Sequence, residues 1–144
     1  MSLIALGPKP PLIVARDATI HALTVALTER NVGAAAVLDG DRLVGIVTER
    51  DVIKKVVAPQ RDPHQVKVSD LMSSPVITVG RATTLTEAVA IMRDKHIRHL
   101  VVVSDTGKVL GILALRYVLY AVMDDLERTV GDMTSYIMLD SPGG

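Results

Sequence analysis

The chain contains no cysteine, no phenylalanine and no tryptophan, and only three tyrosines. Without cysteine there is no disulfide, no thiolate metal ligand and no thiol nucleophile. Without the large aromatics, Ala, Val, Ile and Leu must fill the core, and the β-branched share of these favours buried strands. There is no excess charge either: 16 Lys plus Arg balance 16 Asp plus Glu. The basic surplus that a nucleic-acid partner calls for is therefore missing. Long apolar runs are also lacking. The most apolar stretch, "VLGILALRYVLYAVM" at 109–123, is cut by Arg116 and is too short for a bilayer. The opening "MSLIALGPKPP" has neither the basic region nor the apolar length of a signal peptide. These absences lead to the expectation of a cytoplasmic protein with no membrane and no nucleic-acid partner. What remains is 49% hydrophobic over 144 residues, enough for a real core.

The chain repeats itself. "PLIVARDATIHALTVALTERNVGAAAVLDGDRLVGIVTERDVI" at 11–53 aligns with "PVITVGRATTLTEAVAIMRDKHIRHLVVVSDTGKVLGILALRYVL" at 75–119. Pro11 meets Pro75, Val37 meets Val102 and Gly45 meets Gly111, so the offset drifts from 64 to 66 residues. One insertion is placed beside Thr83 and Thr84, the other in the turn at Asp105-Thr106-Gly107; connections tolerate such changes.

Each copy predicts β-α-β-β-α. A short strand (Leu12 to Val14, or Val76-Ile77) precedes a helix. In copy two Leu85, Ala88, Val89 and Met92 share one helical face, and Thr84 with Glu87 forms a capping box. Copy one offers the thinner stripe Ile20, Leu23 and Leu27. The strands Ala36–Leu38 and Leu100–Val103 run apolar without alternation, which implies cover on both faces. Turns rich in Asp and Gly lead to strands at 44–47 and 109–113. The last helices carry Val52, Ile53, Val56 and Val57, or Val118, Leu119, Val122, Met123 and Leu126. The join "APQRDPHQ" at 58–65 reads as an exposed loop. One repeat cannot cover both its faces alone, whereas two packed sheet to sheet can. The expected fold is mixed α/β (α+β), a single pseudo-two-fold unit with repeats at 1–60 and 66–130. A C-terminal tail at 131–144 packs back, crosses to a second subunit or hangs free, and its "SPGG" end is expected to be disordered.

With that frame, "GIVTERDV" at 45–52, "VSDLMSSPVITV" at 68–79 and "HIRHLVVV" at 96–103 resemble the tandem cystathionine-β-synthase (CBS) domain pair, or Bateman module. The resemblance covers roughly residues 10–125 and rests on three loose motifs in the right order. It implies a binding module, not an enzyme. Such modules take adenosine ligands in clefts between the repeats, commonly AMP, ADP or ATP, and regulate a partner protein. The family pattern Gly-x-x-Thr-x-x-Asp puts Asp51 on the ribose hydroxyls and Thr48 by the ribose and phosphate. Carry-over puts Arg98 and His99 opposite Asp51, toward phosphate, with Arg116 at a phosphate-contacting position. It puts Thr78 near adenine or ribose and Thr83 near the phosphate edge. Homodimers that pair through their helices are common in the family and are expected here.

The chemistry agrees with this. An ionised carboxylate accepts from both hydroxyls of a ribose diol. A helix N-terminus and an Arg fork both suit phosphate. Yet Thr48-Glu49-Arg50-Asp51 taken alone is also an ordinary N-cap. Copy two puts Ala114 and Tyr117 where copy one has Thr48 and Asp51. It faces them with Gly33 and Ala34, so one of the two clefts is equipped for a nucleotide and the other is empty, closed or specific for something else. His96-x-x-His99 straddles the entry to a strand and is a poor metal pair, and no nucleophile elbow surrounds Ser73, Ser74 or Ser104. Met72, Met92 and Met123 read as core, and Asp124, Asp125 and Glu127 as a solvated face. The alternatives are a structural dimerisation module with vestigial clefts, and a sensor of S-adenosylmethionine or NAD. A sulfonium cation would sit badly beside Arg98 and Arg116.

Overall fold

Two three-stranded sheets carry the molecule, one from each repeat. The structure is a computed structural model that describes residues 3, 7 and 10–139. The first sheet has the order β1-β2-β3, from β1 (Ile13–Ala15), β2 (Ala34–Asp39) and β3 (Arg42–Thr48). Helix α1 (Ile20–Arg30) bridges β1 to its parallel neighbour β2. After β3 comes α2 (Glu49–Val52), which widens into a π-helical turn at Ile53–Val57. A short α3 (Val68–Leu71) follows the exposed join. The second sheet repeats the order with β4 (Thr78–Val79), β5 (His99–Val103) and β6 (Val109–Ala114). Its helices are α4 (Leu85–Lys95) and α5 (Leu115–Leu139).

The absence of alternation in β2 and β5 has a direct cause. Ala35 and Val37 turn toward the helices of the first repeat, while Ala34 and Ala36 turn toward the other sheet. In β5, Leu100 and Val102 face the helices and Val101 faces the first sheet. Three apolar clusters result, one under each repeat's helices and one between the sheets. Ile20, Leu23 and Leu27 fill the first, Ala88 and Met92 the second, as their spacing predicts.

The duplication reaches the caps. Asn31 and His96 end α1 and α4 in the same left-handed conformation. The Glu49 N–H donates to Gly33 O at 2.9 Å, and the Leu115 N–H donates to Arg98 O at 2.8 Å. Each last helix is thus pinned at its first turn to the residue just before the middle strand. Register moves one insertion. Val14 pairs with Val37 as Val79 pairs with Val102, so the extra residue of copy two lies before β4, not beside Thr83 and Thr84.

Three further expectations change. The strand of copy two is Thr78–Val79 rather than Val76-Ile77. Ile53 and Val57 are exposed, because only Val52 and Val56 of that helix reach the core. Met123 is exposed too, since α5 has by then left the body of the protein, whereas Met92 is buried. Residues 131–139 continue α5 without a break. The "SPGG" end lies outside the described residues. Segment 66–72, downstream of the join, puts Val66, Val68 and Leu71 into the first repeat's cluster. No described helix is long and apolar enough to cross a membrane.

Candidate functional site

The junction of β3 and α2 holds Thr48 and Asp51. A carboxylate three residues after a Thr can reach back across the first turn, and both halves of that capping box form. The Thr48 N–H and hydroxyl donate to Asp51 Oδ2 at 2.9 and 3.2 Å, and the Asp51 N–H donates to Thr48 Oγ1 at 3.2 Å. The other oxygen, Oδ1, has only the Lys55 ammonium at 3.8 Å, and Lys55 already donates to Leu71 O. One carboxylate oxygen is thus committed to the cap. The other has no partner in the cap and faces only the Lys55 ammonium.

The second repeat supplies the opposing groups. His99 opens β5 and shares the parity of Val101, so its ring points toward the first sheet. Burial is the main cause that holds its imidazole below the ordinary range. Glu49 raises it, Arg98 lowers it, Asp51 raises it and Arg116 lowers it. The half-buried imidazole therefore feels the charges of carboxylates from the first repeat and guanidinia from the second. Arg98 and Arg116 are exposed and adjacent, because the Leu115 N–H is bonded to Arg98 O. Arg116 lies over the Tyr117 ring, 4.9 Å from its centroid, and donates to Tyr117 Oη at 3.3 Å.

The His99 shift has a measurable sign. Its folded value lies below its unfolded value, so the fold favours the neutral ring. That contribution is complete above the ordinary histidine range and is lost as pH falls through the lowered value. The thermal midpoint of wild type is therefore expected to fall further than that of His99→Gln between about pH 7 and pH 5. Equal slopes in melts of the two proteins would mean the ring is not buried as described.

Thr78 lies on the same sheet face as His99, since it pairs with Val101 while its neighbour Val79 turns to the helices. It lines a cavity of about 580 Å³ together with Asp39, Arg42 and Leu43 of the first repeat and Val103 and Thr106 of the second. Neither Asp51 nor His99 lines that cavity. Thr83 sits in the loop before α4, where its N–H donates to Gly80 O at 3.2 Å, and no described contact joins it to the His99 cluster. Glu49 and Lys55 are the members that the sequence reading missed. Glu49 had a signal, because copy two puts Leu115 at the matching place. Lys55 shows only as an i+4 partner of Asp51.

At the opposite junction the residues that match Thr78, Arg98, His99 and Asp51 carry no charge. Ile13 holds the register position of Thr78, Gly33 and Ala34 those of Arg98 and His99, and Tyr117 that of Asp51. His21 and His64 stack with their rings 4.4 Å apart, a contact not visible in their spacing. Among the described residues no three His, Asp or Glu side chains gather as a metal site.

A duplicated β-α-β-β-α unit of two three-stranded sheets is the architecture of tandem CBS-domain proteins. The chain belongs to the CBS domain family, whose model matches residues 8–58 and 68–124. It is 32% identical over 126 residues to the mitochondrial CBS domain-containing protein CBSX3 of Arabidopsis thaliana, covering 84% of this chain and 61% of that one. It is 40% identical over 94 residues to the protein MK0525 of Methanopyrus kandleri, covering 65% and 48%. The chain thus spans about half to three fifths of these two relatives. Among solved structures it resembles the CBS domain protein PAE2072 of Pyrobaculum aerophilum, complexed with AMP, at TM-score 0.73 and 31% identity over 81% of this chain and 89% of that one. A CBS-domain protein of Burkholderia ambifaria gives TM-score 0.77 and 27% identity, covering 87% and 96%. Proteins of this family are generally regulatory modules.

Proposed function

We propose that this protein senses an adenine nucleotide (AMP, ADP or ATP) in the cleft between Asp51 and His99, and passes the result to a regulated partner rather than catalysing a reaction. The observation that carries this is geometric: at the β3–α2 junction Asp51 keeps one carboxylate oxygen outside its cap, and His99 opens β5 on the face turned to the first sheet. The ribose diol would take Asp51 Oδ1 in place of Lys55. The phosphate would take Arg98, Arg116, His99 and the Thr48 end of α2, where the helix N-terminus adds its own positive potential. Thr78 and Thr83 would border the adenine and the phosphate edge. The AMP complex of PAE2072 supports the ligand class. By bridging both repeats, the ligand would favour whichever of two packings it binds more tightly. The protein would act as a homodimer.

A panel of AMP, ADP, ATP, NAD and S-adenosylmethionine in calorimetry tests this. A phosphate beside His99 raises the imidazole, so nucleotide binding is expected to take up protons and to tighten as pH falls from about 7.5 to 6. A sulfonium would do the reverse. Heat from no ligand would leave the dimerisation module with empty clefts.

A further inference from the structure

One face of α5 is unexplained by the module. Val118 and Ala121 are buried, but every residue from Met123 to Met138 is exposed. That stretch is about 24 Å of helix without a described tertiary partner. A lone helix of this length is marginal in water, and Gly131, Thr129 and Thr134 weaken it further. Six of its large exposed apolar residues are nevertheless regularly spaced, with Tyr120 and Tyr136 beside them and Met138 off their line. Leu119, Met123, Leu126, Val130, Met133 and Ile137 follow one another at alternating steps of four and three, and all are between 43% and 65% exposed. A period of 3.5 residues is the pattern of a supercoiled seam.

We propose that α5 forms a parallel two-stranded coiled coil with α5 of a second copy of this chain. Met123, Val130 and Ile137 take the a positions and Leu119, Leu126 and Met133 the d positions. β-branched residues at a with Leu at d favour two parallel strands. Asp124, Asp125, Arg128 and Asp132 fall on the outer positions, away from the seam. Glu127 is the one charge that flanks it. A fully overlapped antiparallel pair would bring two Glu127 side chains together, whereas the parallel pair sets Glu127 beside the partner's Val122. Burying the exposed parts of these six side chains on both copies removes on the order of 1,300 Å² of surface, inside the range of stable interfaces. Ile53 and Val57 are exposed at the matching places of the first repeat, but the chain turns away at Ala58 and offers no continuation. The inference rests on the homodimer reading above and is independent of nucleotide binding.

Cysteine cross-linking tests it on a background with no native thiol. In a parallel pair, facing a positions lie within disulfide reach. Val130→Cys and Ile137→Cys are expected to form disulfide dimers at least roughly tenfold faster than the outward control Arg128→Cys, because the seam raises effective concentration. Light scattering on the wild type should give a mass of two chains or a multiple of two. A single-chain mass would overturn both the homodimer and the seam. A two-chain mass with Val130→Cys no faster than the control would overturn the seam alone. Preferential cross-linking of Leu126→Cys to Val130→Cys in a mixture would overturn the parallel arrangement.

Discussion

Asp51→Asn is expected to weaken nucleotide binding about tenfold to a hundredfold and keep its thermal midpoint. Asparagine can still accept from the Thr48 N–H with its amide oxygen, so the capping box survives. It cannot accept from both hydroxyls of a ribose as an ionised carboxylate does. Hydrogen bonds to a charged group contribute about 1.5–3 kcal/mol, so affinity should fall about tenfold to a hundredfold. Wild type at roughly one hundred times its dissociation constant should gain about 2.7 kcal/mol. For a chain of this length that is a midpoint rise on the order of 5–10 °C, of which Asp51→Asn should lose about half or more. Asp51→Ala should lose the rise as well, and should also melt lower without ligand, by about the 0.5–2 kcal/mol of a cap. Thermal melts of the three proteins with and without AMP read both effects. An Asn variant that binds AMP like wild type would reduce Asp51 to a helix cap and remove it from the site.

Leu71→Ala is expected to destabilise the protein by about 2–5 kcal/mol, the cost of emptying a buried leucine site. Leu71 follows the join and precedes the second sheet, yet it is fully buried in the first repeat's cluster. The packing around it is close. A Cβ added to Gly45 would stand 2.5 Å from the Met72 sulfur, and Ile46 and Ser73 exchange backbone hydrogen bonds of 3.1 and 2.8 Å. Denaturant unfolding measures the effect. A loss below about 0.5 kcal/mol, typical of a surface position, would mean that the segment is only a tether.

Where the sequence was legible, one physical rule dominated. Ala34 to Val37 and Leu100 to Val102 lack alternation because both faces of each sheet are covered, and the register follows from that. Thr84 with Glu87 gave the start of α4, and the box forms with bonds of 3.0 and 3.2 Å. Gly40 and Gly107 take the positive φ that their turns require. Reading failed where surroundings decide. β4 is only two residues long and carries little pattern of its own. Met123 and Ile53 look like core residues in sequence, and nothing local shows that their helices have no described neighbour there. Within the site, Asp51 and His99 stood out as breaks in the repeat. Glu49 does so as well, but only once its charge is seen to act on His99.

The seam between the two sheets has a mechanical consequence. Ala34, Ala36, Val101, Val109 and Ile112 make it, and no described hydrogen bond crosses from one sheet to the other. No described polar or charged side chain is buried anywhere in the core. In a small, dry seam of this kind only the interlocking of side chains, and no described polar contact, opposes a sliding of one sheet over the other. On the reading proposed above, a nucleotide that bridged the rim between Asp51 and His99 would act as a brake on such sliding, and its release would free the seam.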